Sequence, residues 1–438
     1  MKTDCVIIGA GHCGLAMSYH LTELSIDHVV LERGEIANSW KRERWDSLRL
    51  LTPNWQTRLP GYSYAGDNPD GFMKVSELTD FIEEYAKLIS APVKEDTEVQ
   101  AIEKEGNGYR VVTSHGTWEC RSLVIASGAC NQANVPAIAD KAPESITCVT
   151  AMDYRNPDQL EQGAVLVVGA SATGLQLAEE IHRSGRPVTL AVGEHVRLPR
   201  SYRGKDIQWW MEKLGIHDER YDEIDDLVRG RNIPSPQLVG STERSTLDIN
   251  RLIEQGIRIR GRLAGFNGSQ AQFSGSLNNI CAMADLKMDR LLKNVDDWID
   301  ENQHSNEFAP PYRHLRTRVE EFPPLLMNLE KHNVRTILWA TGYHPDYSWL
   351  NLPVFDHKGR IRHDGGVVEA PGVYLMGTTL LRRRKSSFIH GAADDARELS
   401  DHLNAYLKHG EPAVAPEKDS PVNPGGVAVD SPQIHCAA

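Results

Sequence analysis

Residues 5–32 read CVIIGAGHCGLAMSYHLTELSIDHVVLE, and this stretch decides how the chain folds. Val6, Ile7 and Ile8 make a short, wholly apolar run of the kind that forms a central parallel strand, and it stops at Gly9-Ala-Gly11-His-Cys-Gly14. Leu15, Ala16, Tyr19, Leu21 and Leu24 then recur at helical spacing, and His28 to Leu31 form a second β-rich run ending in Glu32. Strand, glycine turn, helix and strand make one βαβ unit. In such a unit Gly9 permits the tight turn, Gly11 the close approach of a pyrophosphate to the backbone, and Gly14 the contact of helix with strand. Glu32, 21 residues after Gly11, stands where a carboxylate accepts from ribose hydroxyls. The expected ligand is a dinucleotide, and a unit opening at the third residue suits an FAD site built by the N-terminus.

A second unit begins at Gly163: Ala-Val-Leu-Val-Val, then Gly169-Ala-Ser171-Ala-Thr173-Gly174, then a helix through Ile181. Ser171 replaces the middle glycine. The strand that follows, Pro187 to Val192, has no acid at the position matching Glu32, and Arg197, Arg200 and Arg203 crowd the next loop. A missing acid beside guanidinium groups suits a 2'-phosphate, hence NADPH over NADH, although Glu194 could serve NADH and the arginines could be a solvated surface. Two nucleotide motifs about 160 residues apart imply two dinucleotide-binding domains in an α/β fold.

A length of 438 residues allows two to three domains. A net charge of -12 argues against nucleic acid as an electrostatic partner. The apolar runs are far too short to span a bilayer, and the N-terminus enters its first strand without a secretory pattern, so a cytoplasmic protein that does not bind membranes is expected. Seven cysteines include no CxxC pair, which removes the dithiol relay of disulfide-reducing flavoenzymes. Cys13 reads as a small filler beside the first glycine turn, and Cys436, third from the end, does not form a prenylation box. No metal cluster is evident, and the histidines, including His12, His344 and His390, are scattered.

Between these units, Trp40, Trp45 and Trp55 interleave with arginines in a stretch ended by prolines, which is either an irregular packing layer or a flat wall for a planar cofactor. Val75 to Ile89 reads as an amphipathic helix capped by Ser76, with Leu78, Phe81, Ile82, Tyr85 and Leu88 on its apolar face. Short strands are expected at Glu98–Ile102, Tyr109–Thr113 and Thr117–Cys120, then a buried strand from Ser122 toward Gly128. Tyr202 to Glu330 is charged and helical in character, with Trp209, Trp210 and Leu214 as a core stripe, and short strands surround Gly261 and Gly268. Asn333 to Trp339 and Gly372 to Gly377 read as strands, and Ser387 to Leu407 as a final helix. The basic run Arg382-Arg-Arg-Lys385 is a solvated face or, near a phosphate, a help in holding NADPH. From Gly410 the composition predicts a loose tail.

Taken in order, Gly9-Ala-Gly11-His-Cys-Gly14, Trp40, Leu48-Arg-Leu with Thr52-Pro53, Leu59-Pro-Gly61, Gly169-Ala-Ser171-Ala-Thr-Gly174 and Ala340-Thr-Gly342-Tyr343 resemble class B flavin-dependent monooxygenases. The likeness covers about residues 3 to 405 and is strongest to the bacterial CzcO-like branch, related to flavin-containing monooxygenases and the plant YUCCA enzymes. It implies an FAD domain (1–160 and 331–408) with an inserted NADPH domain (161–330) and a flexible tail (409–438). By the resemblance Gly9, Gly11, Gly14, Glu32, Arg33 and Trp40 contact FAD, Val99 its adenine, and Gly377 with the start of the last helix the flavin ring. Gly169, Ser171, Thr173 and Gly174 hold the NADPH pyrophosphate, and Arg197 or Arg200 meets the 2'-phosphate, although the strand-end arginine of many members is Gly193 here. The family fingerprint FxGxxxHxxx(Y/F) keeps only Tyr154, with Glu144, Ile146 and Thr150 at its other positions, and an asparagine common near the flavin is Leu51.

The activity implied is NADPH-driven formation of a flavin C4a-hydroperoxide that oxygenates a small nitrogen or sulfur nucleophile, with oxygen as co-substrate and a homodimer as the family's common state. No residue stands out as a catalytic acid or base. An NAD(P)H oxidase or electron-transfer reductase without oxygen insertion, and a non-catalytic flavin or nucleotide sensor, are the competing readings.

Overall fold

The structure, a computed structural model, describes residues 1–304 and 306–410. Two sheets organise it, the first of nine strands with a parallel centre and antiparallel additions, the second wholly parallel. In the first, strand β1 (Lys2–Ile8) leads into helix α1 (His12–Glu23) and strand β2 (His28–Leu31), with β1 and β2 parallel and Cys5 opposite His28. The other neighbour of β1 is β3 (Gly116–Ile125), a ten-residue strand that joins into one what the sequence presented as two runs. Cys5 to Ile8 are all buried, as continuous apolar runs in parallel sheets require.

The second sheet has the order β4-β8-β5-β6-β7, all parallel: β4 (Thr147–Thr150), β5 (Ala164–Val168), with α2 (Ala172–Arg183) following it, β6 (Val188–Val192), β7 (Arg258–Gly261) and β8 (Val334–Trp339). Every residue of β5 and β6 is buried. Because β4 and β8 pair with each other and β8 with β5, divisions at 160 and 331 cut through this sheet. The strands of this sheet come from residues 147–339. The expected strand from Asn333 to Trp339 thus serves the second domain, not the first.

The chain returns to the first sheet with β9 (Val373–Leu375) beside β3, and closes with α3 (Ala392–His409), which packs on α1. Two single turns, Arg384–Ser387 and Ile389–Gly391, precede α3, so the final helix starts five residues later than its pattern predicts. Between β7 and β8 lie three antiparallel strands and one 25-residue helix, Leu277–Glu301, which buries Met288, Leu292, Val295 and Ile299 against Trp210. In the first domain the helix Val75–Leu88 is capped at Lys74, whose N–H donates to Glu77, and not at Ser76; Leu88 faces outward. The expected tail lies outside the described residues, apart from Gly410, which ends α3. No helix among the described residues is long and apolar enough to cross a membrane.

Candidate functional site

Both glycine turns are built alike, and each closes against the end of a neighbouring strand. Gly9 has φ +106°, and a Cβ on it would come within 2.6 Å of the Ala126 carbonyl oxygen. Gly169 has φ +111°, and a Cβ there would come within 2.2 Å of the Ala340 oxygen. Gly14 and Gly174 lie so near the carbonyls of Gly9 and Gly169 that a Cβ would stand 1.9 Å away in each case. These four positions are glycine for the fold's sake. Gly11 differs: a Cβ on it would meet no atom within 4 Å. It faces an open cradle at the start of α1, a helix that begins without a side-chain cap. Ser171 begins α2 in the same extended conformation, also uncapped. Two open helix N-termini after glycine turns suit two pyrophosphates.

Glu32 is buried at the end of β2, and its carboxylate accepts from the N–H groups of Ala10 (2.8 Å) and Gly34 (3.3 Å). Burial pushes its pKa up, against the pull of those amides. The acid therefore braces the glycine turn. Gly377, at the end of β9 with φ +75°, stands against Cys13. Gly9, Gly11, Gly14, Glu32 and Gly377 thus converge at the carboxyl edge of the first sheet, where open α/β sheets bind ligands. Arg33 pairs with Glu43 on the surface. Trp40 is half-buried with the Arg44 guanidinium 5.5 Å from its ring centre, and the same guanidinium lies 5.7 Å from the ring centre of Tyr343. Val99 is buried, packed in a cluster with Leu31. Thr173, next to Gly174, lies near the Tyr343 hydroxyl.

The two arginines expected at a 2'-phosphate are committed elsewhere. Arg197 is 4% exposed; it donates to Asp285 (2.6 Å), to Asp248 through Nε and Nη2 (3.0 and 2.6 Å), and to the Leu315 carbonyl (2.8 Å). Arg200 is fully enclosed, bonded to Asp206 and the Leu51 carbonyl and lying over Phe72. A buried guanidinium persists only with such partners; those of Arg197 engage all three of its nitrogens, whereas Arg200 keeps its Nε unpaired and borders the cleft beside Trp55. Glu194 is exposed and pairs with Lys287. The run Arg382 to Lys385 is neither a solvated face nor a phosphate clamp: Arg383 binds Asp395 and Glu398, Arg384 binds Glu219, and Lys385 lies between Asp218 and Asp394. It staples the start of α3 to the 216–219 turn.

Of the three tryptophans, Trp45 is buried in the second domain's core with Tyr154, whose hydroxyl donates to Glu180. Trp55 instead lines a cleft of about 800 Å³, together with Pro53, Trp209, Lys205, Glu212 and Lys213. Thr150, at the fingerprint's histidine position, ends β4 and donates to Asp153. Sequence reasoning missed the pairing of His390 with His217: both are buried, their rings are 5.5 Å apart and perpendicular, and burial lowers both pKa values, that of His217 to about 4. They stand 173 residues apart, so no local pattern announces them. Among the described residues no group of His, Cys, Asp or Glu is arranged to hold a metal.

Two glycine turns, each after a parallel strand of a separate sheet of one chain, define a dinucleotide-dependent oxidoreductase architecture. Residues 6–213 match the family described as pyridine nucleotide-disulphide oxidoreductase. A CzcO-like oxidoreductase of Geobacillus kaustophilus is 30% identical over 410 residues, covering 93% of this chain and 99% of that relative. The chain belongs to the CzcO-like oxidoreductase family. It is also 31% identical over 212 residues to the indole-3-pyruvate monooxygenase YUCCA6 of Arabidopsis thaliana, 46% of this chain and 51% of that enzyme. A flavin-containing monooxygenase from Stenotrophomonas maltophilia shares the fold, with a TM-score of 0.65 at 18% identity over 93% of this chain and 99% of that one.

Proposed function

We propose that this chain binds FAD at the first glycine turn and NADPH at the second, and that it is a monooxygenase transferring one atom of oxygen to a small nitrogen or sulfur nucleophile. The observation that carries the reading is the pair of matched turns, with Gly11 and Ser171 at uncapped helix starts. Bound FAD supplies the redox chemistry, taking a hydride equivalent from NADPH and activating oxygen. The protein supplies position: Gly11 and the α1 N-terminus receive one pyrophosphate, Ser171, Thr173 and the α2 N-terminus the other, and Glu32 the ribose. A dithiol mechanism lacks its residues: the sequence has no CxxC, and burial pushes the Cys13 thiol far above the range in which a thiolate forms.

Turnover of amines and thioethers with NADPH under isotopically labelled oxygen gas tests the reading. Label in the product supports oxygen insertion. NADPH consumed with stoichiometric peroxide and no labelled product would establish the oxidase or reductase reading, and no reduction of bound FAD by NADPH the sensor reading.

A further inference from the structure

With Arg197 and Arg200 both sequestered, the second nucleotide site lacks the cation the sequence placed there, and the sheet register shows where another stands. In a βαβ unit the adenosine ribose lies at the carboxyl end of the second strand, here β6, whose last residue Val192 is followed by Gly193. Its neighbour β7 runs parallel, with Val192 opposite Gly261, so the residue after β7, Arg262, is level with Gly193. A Cβ on Gly193 would lie 4.0 Å from Arg262 Cγ, with no nearer contact. The absent side chain at 193 thus leaves room that the stem of Arg262 borders. Arg262 is exposed, and its backbone carbonyl, which accepts from Ser274 N–H, is the only part of it in a hydrogen bond among the described residues. The other cations nearby are engaged: Lys287 by Glu194 and Arg260 by Glu320.

We infer that Arg262 is the residue that reads the 2'-phosphate, delivered from the neighbouring strand in place of an arginine at 193, and so sets the preference for NADPH over NADH. The inference rests on the nucleotide assignment proposed above. A free, planar guanidinium at that strand end offers paired donors to a phosphate dianion and gains nothing from a ribose hydroxyl alone.

Calorimetric titration of the purified, flavin-loaded protein with NADP+ and with NAD+ tests it. R262Q should weaken NADP+ about 10- to 100-fold, the worth of a charge-assisted bond, while NAD+ binding and the flavin spectrum stay as in the unsubstituted protein. R262K should recover part of the loss, and Gly193→Arg in the R262Q background should restore discrimination. Equal weakening toward both nucleotides, or no change toward NADP+, overturns the role of Arg262. An unsubstituted protein that binds NADP+ and NAD+ equally also overturns it while leaving the nucleotide site in place; one that binds neither removes the site itself.

Discussion

Gly377 and Cys13 meet across the first domain: a Cβ at 377 would lie 2.9 Å from the cysteine sulfur, with φ held at +75°. The last strand of the sheet therefore ends directly over the first glycine turn. Gly377→Val combines a left-handed backbone with this close contact, a strain on the order of 1–3 kcal/mol before any clash is counted. The variant should purify with little flavin and rebind it at least about tenfold more weakly. Full flavin occupancy, measured by absorbance after dialysis, would contradict the assignment of Gly377 to the flavin site.

Gly11 and Gly14 separate binding from folding. Gly14→Ala forces a methyl onto the Gly9 carbonyl and should give little soluble protein. Gly11→Ala meets no protein atom, so the flavin-free form should melt within about a degree of its unsubstituted counterpart while FAD affinity falls tenfold or more. Equal losses in both variants would mean that Gly11 is structural too.

Removing Arg197 strands two carboxylates, Asp248 and Asp285, in the second domain. Arg197→Met should cost roughly 3–5 kcal/mol in denaturant unfolding, the range for breaking a buried ion pair from one side. The ratio of NADP+ to NAD+ affinity in the protein that remains folded should not move. A selective loss of NADP+ binding would return Arg197 to the phosphate.

Acid should loosen the clasp on α3. Burial alone would raise the pKa of Glu398, but its bonds to Arg383 and Arg382 outweigh that and hold it at about 2. A carboxylate with a depressed folded pKa stabilises above its unfolded value near 4.3 and loses that contribution as pH falls toward 2. The melting temperature should drop between pH 5 and 3, and Glu398→Gln should flatten that slope. Identical slopes would show that other carboxylates dominate acid unfolding.

The parts of the fold that were legible in the sequence depend on short separations. Gly9, Gly11 and Gly14 lie within six residues, and a βαβ unit writes its strand, turn and helix in one uninterrupted stretch. The fate of Arg197 was not legible, because its partners are 51 and 88 residues away on other elements. The basic run from Arg382 illustrates the same limit: four cations in a row look solvated until Glu219 and Asp218 arrive from 165 or more residues earlier. The sheet to which β4 and β8 belong was not legible for a related reason, since a short strand's own sequence does not say which neighbours it joins. Ser76 was a fair cap by composition, yet the cap is Lys74, whose N–H donates to Glu77, and the helix starts at Val75 as expected.

The way one domain interrupts the other also sets an order for synthesis. When the ribosome has released Trp339, all five strands of the inserted domain are out and can close around their own nucleotide turn. The host sheet at that moment still waits for Val373 to Leu375, and its glycine turn for Gly377. The turn translated first is therefore the one completed last, and the nascent chain can acquire its flavin only when nearly all of it has been made.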